Sequence, residues 1–252
     1  MTEEETFLEG ARSIRAALEA QSRPIHAIYA SNQRRSKDRS QIERLAAARG
    51  LSVERRPAAF IAERSRGKSH GGLLAVVGAR RYVPLPSLLP MTGAAFLALL
   101  DGVEDPFNFG QCLRSLYAAG VDGVILGERD WQGATAIVAR ASAGASERLA
   151  LARVATAGEA ISFARQVGLT VACSEHSRRA ASCFAADLTV PILLMLGGER
   201  RGIAAQWRAA ADLSLRIPYE APGLSLGTAA ATAILAFEIR RQRQHRFSET
   251  PA

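Results

Sequence analysis

Ile192-Leu-Leu-Met-Leu-Gly-Gly-Glu-Arg-Arg-Gly-Ile203 joins a run of uniformly apolar residues to a glycine pair and then to a charged turn. A run that is apolar at every position is what a parallel strand covered on both faces requires. The glycines Gly197 and Gly198 allow backbone to approach a ligand closely, and Glu199 is placed to pair with a cation or to cap a helix. The segment lacks the GxGxxG spacing of a dinucleotide fold. Working outward, the same alternation recurs. Phe96–Leu100, Gly123–Leu126, Leu169–Cys173 and Leu213–Ile217 are further apolar strand candidates. Helical segments lie near 110–119, 135–143, 158–167, 204–211 and 226–242. That order predicts an α/β domain on a mostly parallel sheet.

The front of the chain has a different texture. Leu8–Ala20 places Leu8, Ile14, Ala17 and Leu18 on one helical face, and a strand is expected over Pro24–Ala30. Asp38–Arg49 reads as a helix stopped by Gly50, Leu51–Val53 as a short strand, Ala58–Glu63 as a helical turn and Gly72–Val77 as a buried strand. This is a small α/β domain of about 80 residues, within the usual domain range. Pro84, Pro86 and Pro90 then interrupt any regular element. The expected division is therefore a first domain at 1–81, a linker at 82–92 and a second domain at 93–252.

Charge separates the two domains. Residues 1–90 carry 16 Lys+Arg against 9 Asp+Glu, and residues 91–252 carry 16 against 15, within a total formal charge of +8. A basic module joined to a nearly neutral one fits a polyanion grip attached to a chemical site, with solvated surface arginine as the plainer account. No apolar run reaches membrane-spanning length. The acidic start Met1–Phe7 is unlike a signal peptide, and three cysteines (Cys112, Cys173, Cys183) without CxxC spacing suit a reducing cytoplasm. The four histidines, His26, His70, His176 and His245, show no metal-ligand spacing, so no metal is expected.

Three segments stand where strands hand over to helices, the ligand edge of open α/β sheets. In Asp105-Pro-Phe-Asn108-Phe-Gly110-Gln-Cys-Leu-Arg114, a helix beginning near Gly110 would set Asn108 at its mouth and Arg114 about one turn in, able to converge on one ligand. The second segment is Gly197–Gly202 itself. The third, Ile217-Pro218 through Pro222-Gly223 to Ser225-Leu226-Gly227-Thr228, is a turn-rich loop entering the last helix, with Ser225 read singly as its N-cap.

Together these segments resemble, in order and spacing, motifs 1, 2 and 3 of the SpoU/TrmH branch of the SPOUT RNA methyltransferases. Asn108, Gly110 and Arg114 match the first motif, Gly197, Glu199 and Gly202 the second, and Ile217, Pro218, Ser225 and Leu226 the third. Ser142-Ala143-Gly144-Ala145 is similar to the family's Ser-x-Gly-Ala. Glu9-Gly10 and His70-Gly71-Gly72 resemble its L30e-like substrate-binding domain.

The resemblance implies a deep C-terminal trefoil knot, S-adenosyl-L-methionine as cofactor, a homodimer with sites at the subunit interface, and methyl transfer to a ribose 2′-hydroxyl of ribosomal or transfer RNA. It carries cofactor binding onto Leu196, Gly197, Gly198, Ile217 and Leu226, and catalysis onto Asn108, Arg114, Glu199 and Ser225. A guanidinium is a poor base in water, so Arg114 reads either as a proton acceptor or as a cation anchoring phosphate and the forming alkoxide. One departure stands out: Gly227 replaces the family's Asn after Ser-Leu. It raises the alternative of an RNA-binding protein that keeps the fold with weakened catalysis. A Rossmann dehydrogenase is disfavoured by the missing GxGxxG.

Overall fold

The computed structural model describes residues 5–33, 37–67, 70–221 and 225–248, the last four as helix backbone alone. The first elements are β1 (Thr6–Glu9), α1 (Gly10–Ala20), β2 (Ile25–Ser31), α2 (Lys37–Ala47), β3 (Val53–Arg56), α3 (Ala58–Arg64) and β4 (Leu73–Val77). Then follow β5 (Phe96–Asp101), α4 (Pro106–Ala119), β6 (Gly123–Gly127), α5 (Thr135–Ala141), α6 (Ala145–Arg148), β7 (Leu151–Val154) and α7 (Ala157–Gln166). The chain closes with β8 (Thr170–Ser174), β9 (Ala181–Ser182), β10 (Ile192–Gly197), α8 (Ala205–Ala209), β11 (Leu213–Arg216) and α9 (Thr228–Ser248). By packing there are two compact units, 1–81 with 130–148, and 82–129 with 149–252.

The first unit is built on a four-stranded sheet of order β1-β4-β2-β3. Leu8, Ile14, Leu18, Ile28, Ile42, Leu73, Ala75 and Val77 form its core, joined by Ala139 of α5. Leu8 opens no helix. It lies in β1 opposite Ala75, because antiparallel pairing with β4 claims Thr6–Glu9, and α1 starts at Gly10. The third strand also differs from expectation. Val53–Arg56 is mostly charged, yet it pairs in parallel with β2 as the sheet's edge, where only one face needs cover.

Residues 130–148 pack in this unit although they sit far along the chain. Arg23 holds Glu147 through two hydrogen bonds, Nε to Oε2 at 2.9 Å and Nη2 to Oε1 at 3.0 Å, and the Ser22 hydroxyl donates to the same carboxylate. Burial pushes the Glu147 carboxyl up, but the Arg23 charge and hydrogen bonds, with Arg80 and Ser22, overrule it and leave it below its ordinary value. Breaking one side of such a pair typically costs about 3–5 kcal/mol. The turn after α5 closes against α1. Gly144 has φ +86°, and a Cβ there would sit 2.8 Å from Ala16 Cβ and 3.0 Å from the Arg12 carbonyl oxygen.

In the second unit seven strands form one all-parallel sheet of order β7-β6-β5-β10-β8-β11-β9. β10 lies between β5 and β8, with Ile192 opposite Phe96 on one side and Thr170 on the other. Leu97, Leu99, Ile125, Val171, Leu193 and Met195 are fully or almost fully buried in its core. The strand Leu151–Val154 had no apolar run long enough to announce it. The proline segment expected as a linker is instead packed: Val83 N–H donates to the Leu151 carbonyl at 2.9 Å, and Leu88 is buried where a Cβ on Gly123 would meet it at 2.7 Å. Because every strand runs the same way, Asp101, Gly127, Ser174, Gly197 and Arg216 end at one edge, where the three motifs begin.

Candidate active site

At that edge the chain crosses itself through glycine. A Cβ on Gly197 would lie 2.4 Å from the Gly202 carbonyl carbon, and one on Gly198 would lie 1.8 Å from the Gly102 oxygen. Only glycine fits either position. Gly198 N–H donates to the Asp101 carbonyl at 2.7 Å, and the Gly202 N–H returns to the Gly198 carbonyl at 3.0 Å. This tight loop fixes Glu199. Its carboxylate accepts from the Asn108 side-chain amide at 2.7 Å, so residues 91 positions apart are joined and motifs 1 and 2 meet.

Helix α4 begins at Pro106, earlier than expected, because Asp105 caps it: the Asp105 carboxylate accepts the Asn108 backbone N–H at 2.7 Å, with proline at the first position. Asn108 is therefore not the cap, and its side chain is left for Glu199. The earlier start also corrects the expected convergence of Asn108 and Arg114. The two are six residues apart on a continuous helix, about 9 Å along the axis and about 120° around it. Arg114 is exposed and has no hydrogen-bond or ion-pair partner among the described residues.

Ser225 is exposed and lies three residues before α9, so it is not the N-cap. The residue preceding the helix is Gly227, whose carbonyl accepts the Ala231 N–H at 3.0 Å. Nothing lies within 4 Å of where its Cβ would be. Pro222 and Gly223 of the third motif lie outside the described residues. Ile217 and Leu226 are half-buried, and their backbone groups make no hydrogen bond among the described residues. Leu196 is buried, placing its side chain in the core.

Further contributors were not named by the sequence reading. The Thr228 hydroxyl donates to the Gly197 carbonyl at 3.1 Å, tying the third motif to the second. Buried Thr232 donates to the Thr228 carbonyl at 2.7 Å and to Cys112 Sγ at 3.4 Å. Burial pushes the Cys112 thiol up to about 11, against the Thr232 hydrogen bond, and the Glu199 charge adds to the rise, so it stays a neutral thiol near pH 7. Asp101, beside the glycine crossing, is raised from its ordinary value by burial. Only Asp105 was readable in advance, as an Asp-Pro helix start.

The fold and this edge define an α/β protein with a ligand site at the carboxyl ends of parallel strands, and comparison with known proteins gives the family. The SpoU rRNA Methylase family model matches residues 95–237, and a model described as RNA 2′-O ribose methyltransferase substrate binding matches residues 7–83. The chain belongs to the SpoU rRNA methylase family. It is 30% identical over 240 residues to the 23S rRNA (guanosine-2′-O-)-methyltransferase RlmB of Shewanella oneidensis, covering 93% of this chain and 96% of that one. With the Escherichia coli RlmB it shares 28% over 244 residues, 94% of this chain and 98% of the relative. Among solved structures, the SpoU methyltransferase AviRb of Streptomyces viridochromogenes with AdoMet superposes with a TM-score of 0.79 at 25% identity, covering 95% of this chain and 91% of that one. The AdoMet-bound rRNA methyltransferase of Sinorhizobium meliloti gives 0.78 at 25%, covering 94% and 87%.

Proposed function

We propose that this enzyme transfers a methyl group from S-adenosyl-L-methionine to a ribose 2′-hydroxyl of ribosomal RNA, as the names of its relatives describe for them. The observation that carries the reading is the 2.7 Å Asn108–Glu199 hydrogen bond beside the Gly197–Gly198 crossing. It assembles two motifs into one polar site at the ligand edge. The half-buried Ile217 and Leu226, with unengaged backbone groups, suit a ligand that has both an apolar ring and hydrogen-bonding edges. With Gly197 and Gly198 shaping the turn and Leu196 supporting it from below, they are the residues that would hold the cofactor.

The bound cofactor supplies an electrophilic methyl on a sulfonium. The chain's task is to hold the 2′-oxygen in line with that methyl and to manage the hydroxyl proton. In this reading Asn108, held by its hydrogen bond to Glu199, and Ser225 position the ribose. Arg114 takes the proton or steadies the oxyanion and its neighbouring phosphate.

Because Arg114 points away from Asn108 in a single chain, the reading includes a second copy. Phe107 stands on the same stripe of α4 as Arg114 and is 55% exposed, and Tyr117 is 46% exposed. Phe237 of α9, which packs along α4, is 46% exposed. Exposed aromatics on two neighbouring helices suit an interface between copies. A homodimer through this surface would bring the Arg114 of one copy toward the site of the other. The knotted threading of the C-terminal third and the L30e-like character of the first unit belong to the same proposal. Among the described residues no helix is long and apolar enough to cross a membrane, and we place the enzyme in the cytoplasm with its RNA.

The test is incubation with total RNA and methyl-labelled cofactor, followed by alkaline hydrolysis. Label should remain in linkages resistant to alkali, because a 2′-O-methyl cannot assist cleavage of the adjacent phosphodiester. Label confined to bases would overturn ribose methylation. Tight NAD binding without any calorimetric response to S-adenosylhomocysteine would overturn the cofactor.

A further inference from the structure

In the first unit the exposed rim of the sheet carries a cluster that the methyl-transfer site does not use. Tyr29 on β2 meets Phe60 on α3 edge to face, with ring centroids 5.0 Å apart. Register places Tyr29 opposite Glu54 and Ser31 opposite Arg56, so Tyr29 and Arg56 share a sheet face. The Arg56 guanidinium carbon lies 5.6 Å from the Tyr29 centroid and 5.4 Å from that of Phe60. The Arg64 guanidinium carbon lies over the Phe60 ring, 3.9 Å from its centroid, and Arg64 Nη1 donates to the Phe60 carbonyl at 3.3 Å. The outer sides remain open, with the Arg56 and Arg64 side chains 44% and 40% exposed.

The charges of these arginines are largely answered within the chain. Glu54 lies 2.7 Å from Arg56 and Glu63 lies 3.7 Å from Arg64. A patch meant only for phosphate would leave such charges unpaired. What this one offers is flat surfaces: guanidinium planes backed by aromatic rings, set in a segment whose wider charge is 16 Lys+Arg against 9 Asp+Glu. Guanidinium and aromatic planes stack on nucleobases, and only unpaired bases expose their faces. Ser31, two residues beyond Tyr29, and Ala58, two before Phe60, line a neighbouring cavity of about 270 Å³ with His70, Gly71 and Gly72. It has room for part of a nucleotide.

We propose that the Tyr29–Arg56–Phe60–Arg64 face stacks an unpaired base of the RNA substrate, so that the first unit selects a loop or bulge rather than a plain duplex. The proposal rests on RNA being the substrate and adds the element of RNA structure that is read.

The test measures binding of the full chain, without cofactor, to a hairpin carrying 2-aminopurine in an unpaired loop and to a blunt duplex of equal length. The wild type should bind the hairpin more tightly and quench the fluorophore. Arg64→Lys keeps the charge but loses the plane, and Phe60→Leu keeps apolar bulk but loses the ring. Each should weaken hairpin binding about tenfold, within the range for one stacked base, while duplex binding and, for Arg64→Lys, the salt slope stay as in the wild type. Equal affinity of the wild type for hairpin and duplex, or wild-type hairpin binding by both variants, would overturn the proposal. Wild-type methyl transfer to total RNA is scored in parallel. Transfer without loop preference sinks the stacking face alone, whereas loop preference that depends on Phe60 and Arg64 without transfer upholds the face and sinks the enzymatic reading.

Discussion

The two edges of the parallel sheet in the second unit are built from the same strands and finished in opposite ways. At the amino-terminal edge, polar groups are engaged within the chain. Arg243 of α9 donates to the carbonyls of Ala94, Ala95 and Val190 at 2.6, 3.1 and 2.8 Å. Gln242 accepts the Leu188 N–H at 2.8 Å and donates to the Ala186 carbonyl at 3.1 Å, and the Asp122 carboxylate accepts the Phe96 N–H at 2.7 Å. Burial pulls the Arg243 guanidinium down from its ordinary value, partly offset by Asp122. At the carboxyl edge, the backbone groups of Ile217 and Leu226 have no partner among the described residues. One edge is closed for stability. The other keeps donors and acceptors unengaged, which is the condition for binding something else.

The comparison can be broken most forcefully at the glycine crossing. Gly198→Ala would drive a methyl into the Gly102 carbonyl, and the resulting backbone shift should cost about 3 kcal/mol, the upper end of overpacking effects. Both the melting temperature and the calorimetric response to S-adenosylhomocysteine should fall. A variant with unchanged values would mean that the loop is looser than this geometry allows.

Next in size, Arg114→Ala should lower turnover at least about a hundredfold with melting temperature and cofactor affinity nearly unchanged, the signature of an electrostatic or proton-handling group. Arg114→Lys separates the two roles. Activity with a shifted pH optimum favours proton acceptance, and inactivity favours anchoring through the planar fork. Wild-type turnover in Arg114→Ala would remove the residue from the catalytic set.

At the closed edge the effect should reverse. Arg243→Met keeps much of the apolar stem but takes their donor from the Ala94 and Val190 carbonyls, so stability should drop by about 2 kcal/mol, read as a lower denaturant midpoint. Turnover below the unfolding temperature should hold within about twofold, an effect of under 0.5 kcal/mol. A large loss of turnover with intact stability would show that the edges are coupled.

The smallest expected change concerns Gly227. The space around its Cβ position accepts a side chain, so Gly227→Asn should add a few tenths of a kcal/mol through helix capping. If the amide also serves the site, methyl transfer rises, whereas unchanged transfer shows that this chain works without it.

What the sequence determined by itself is the class of fold and the composition of the site. Uniform apolar runs such as Phe96–Leu100 and Ile192–Leu196 mark strands buried on both faces, and Gly197 and Gly198 mark a close approach of backbone, read in the sequence as room for a ligand and filled in the structure by Gly202 and Gly102 of the chain itself. Asp105-Pro106 held the true start of α4 in plain view. Tertiary structure alone decided the rest. Thr6–Glu9 became a strand because β4 pairs with it, and the charged Val53–Arg56 joined an edge because β2 offered hydrogen bonds. Residues 130–148 packed with the first unit through Arg23 and Glu147. The partnership of Asn108 with Glu199, the tie of Thr228 to Gly197 and the outward aim of Arg114 depend on where distant segments meet. Hydrogen bonds and buried charge pairs form between groups that are near in space, and nearness across 91 residues is a property of the packed chain, not of any stretch of it.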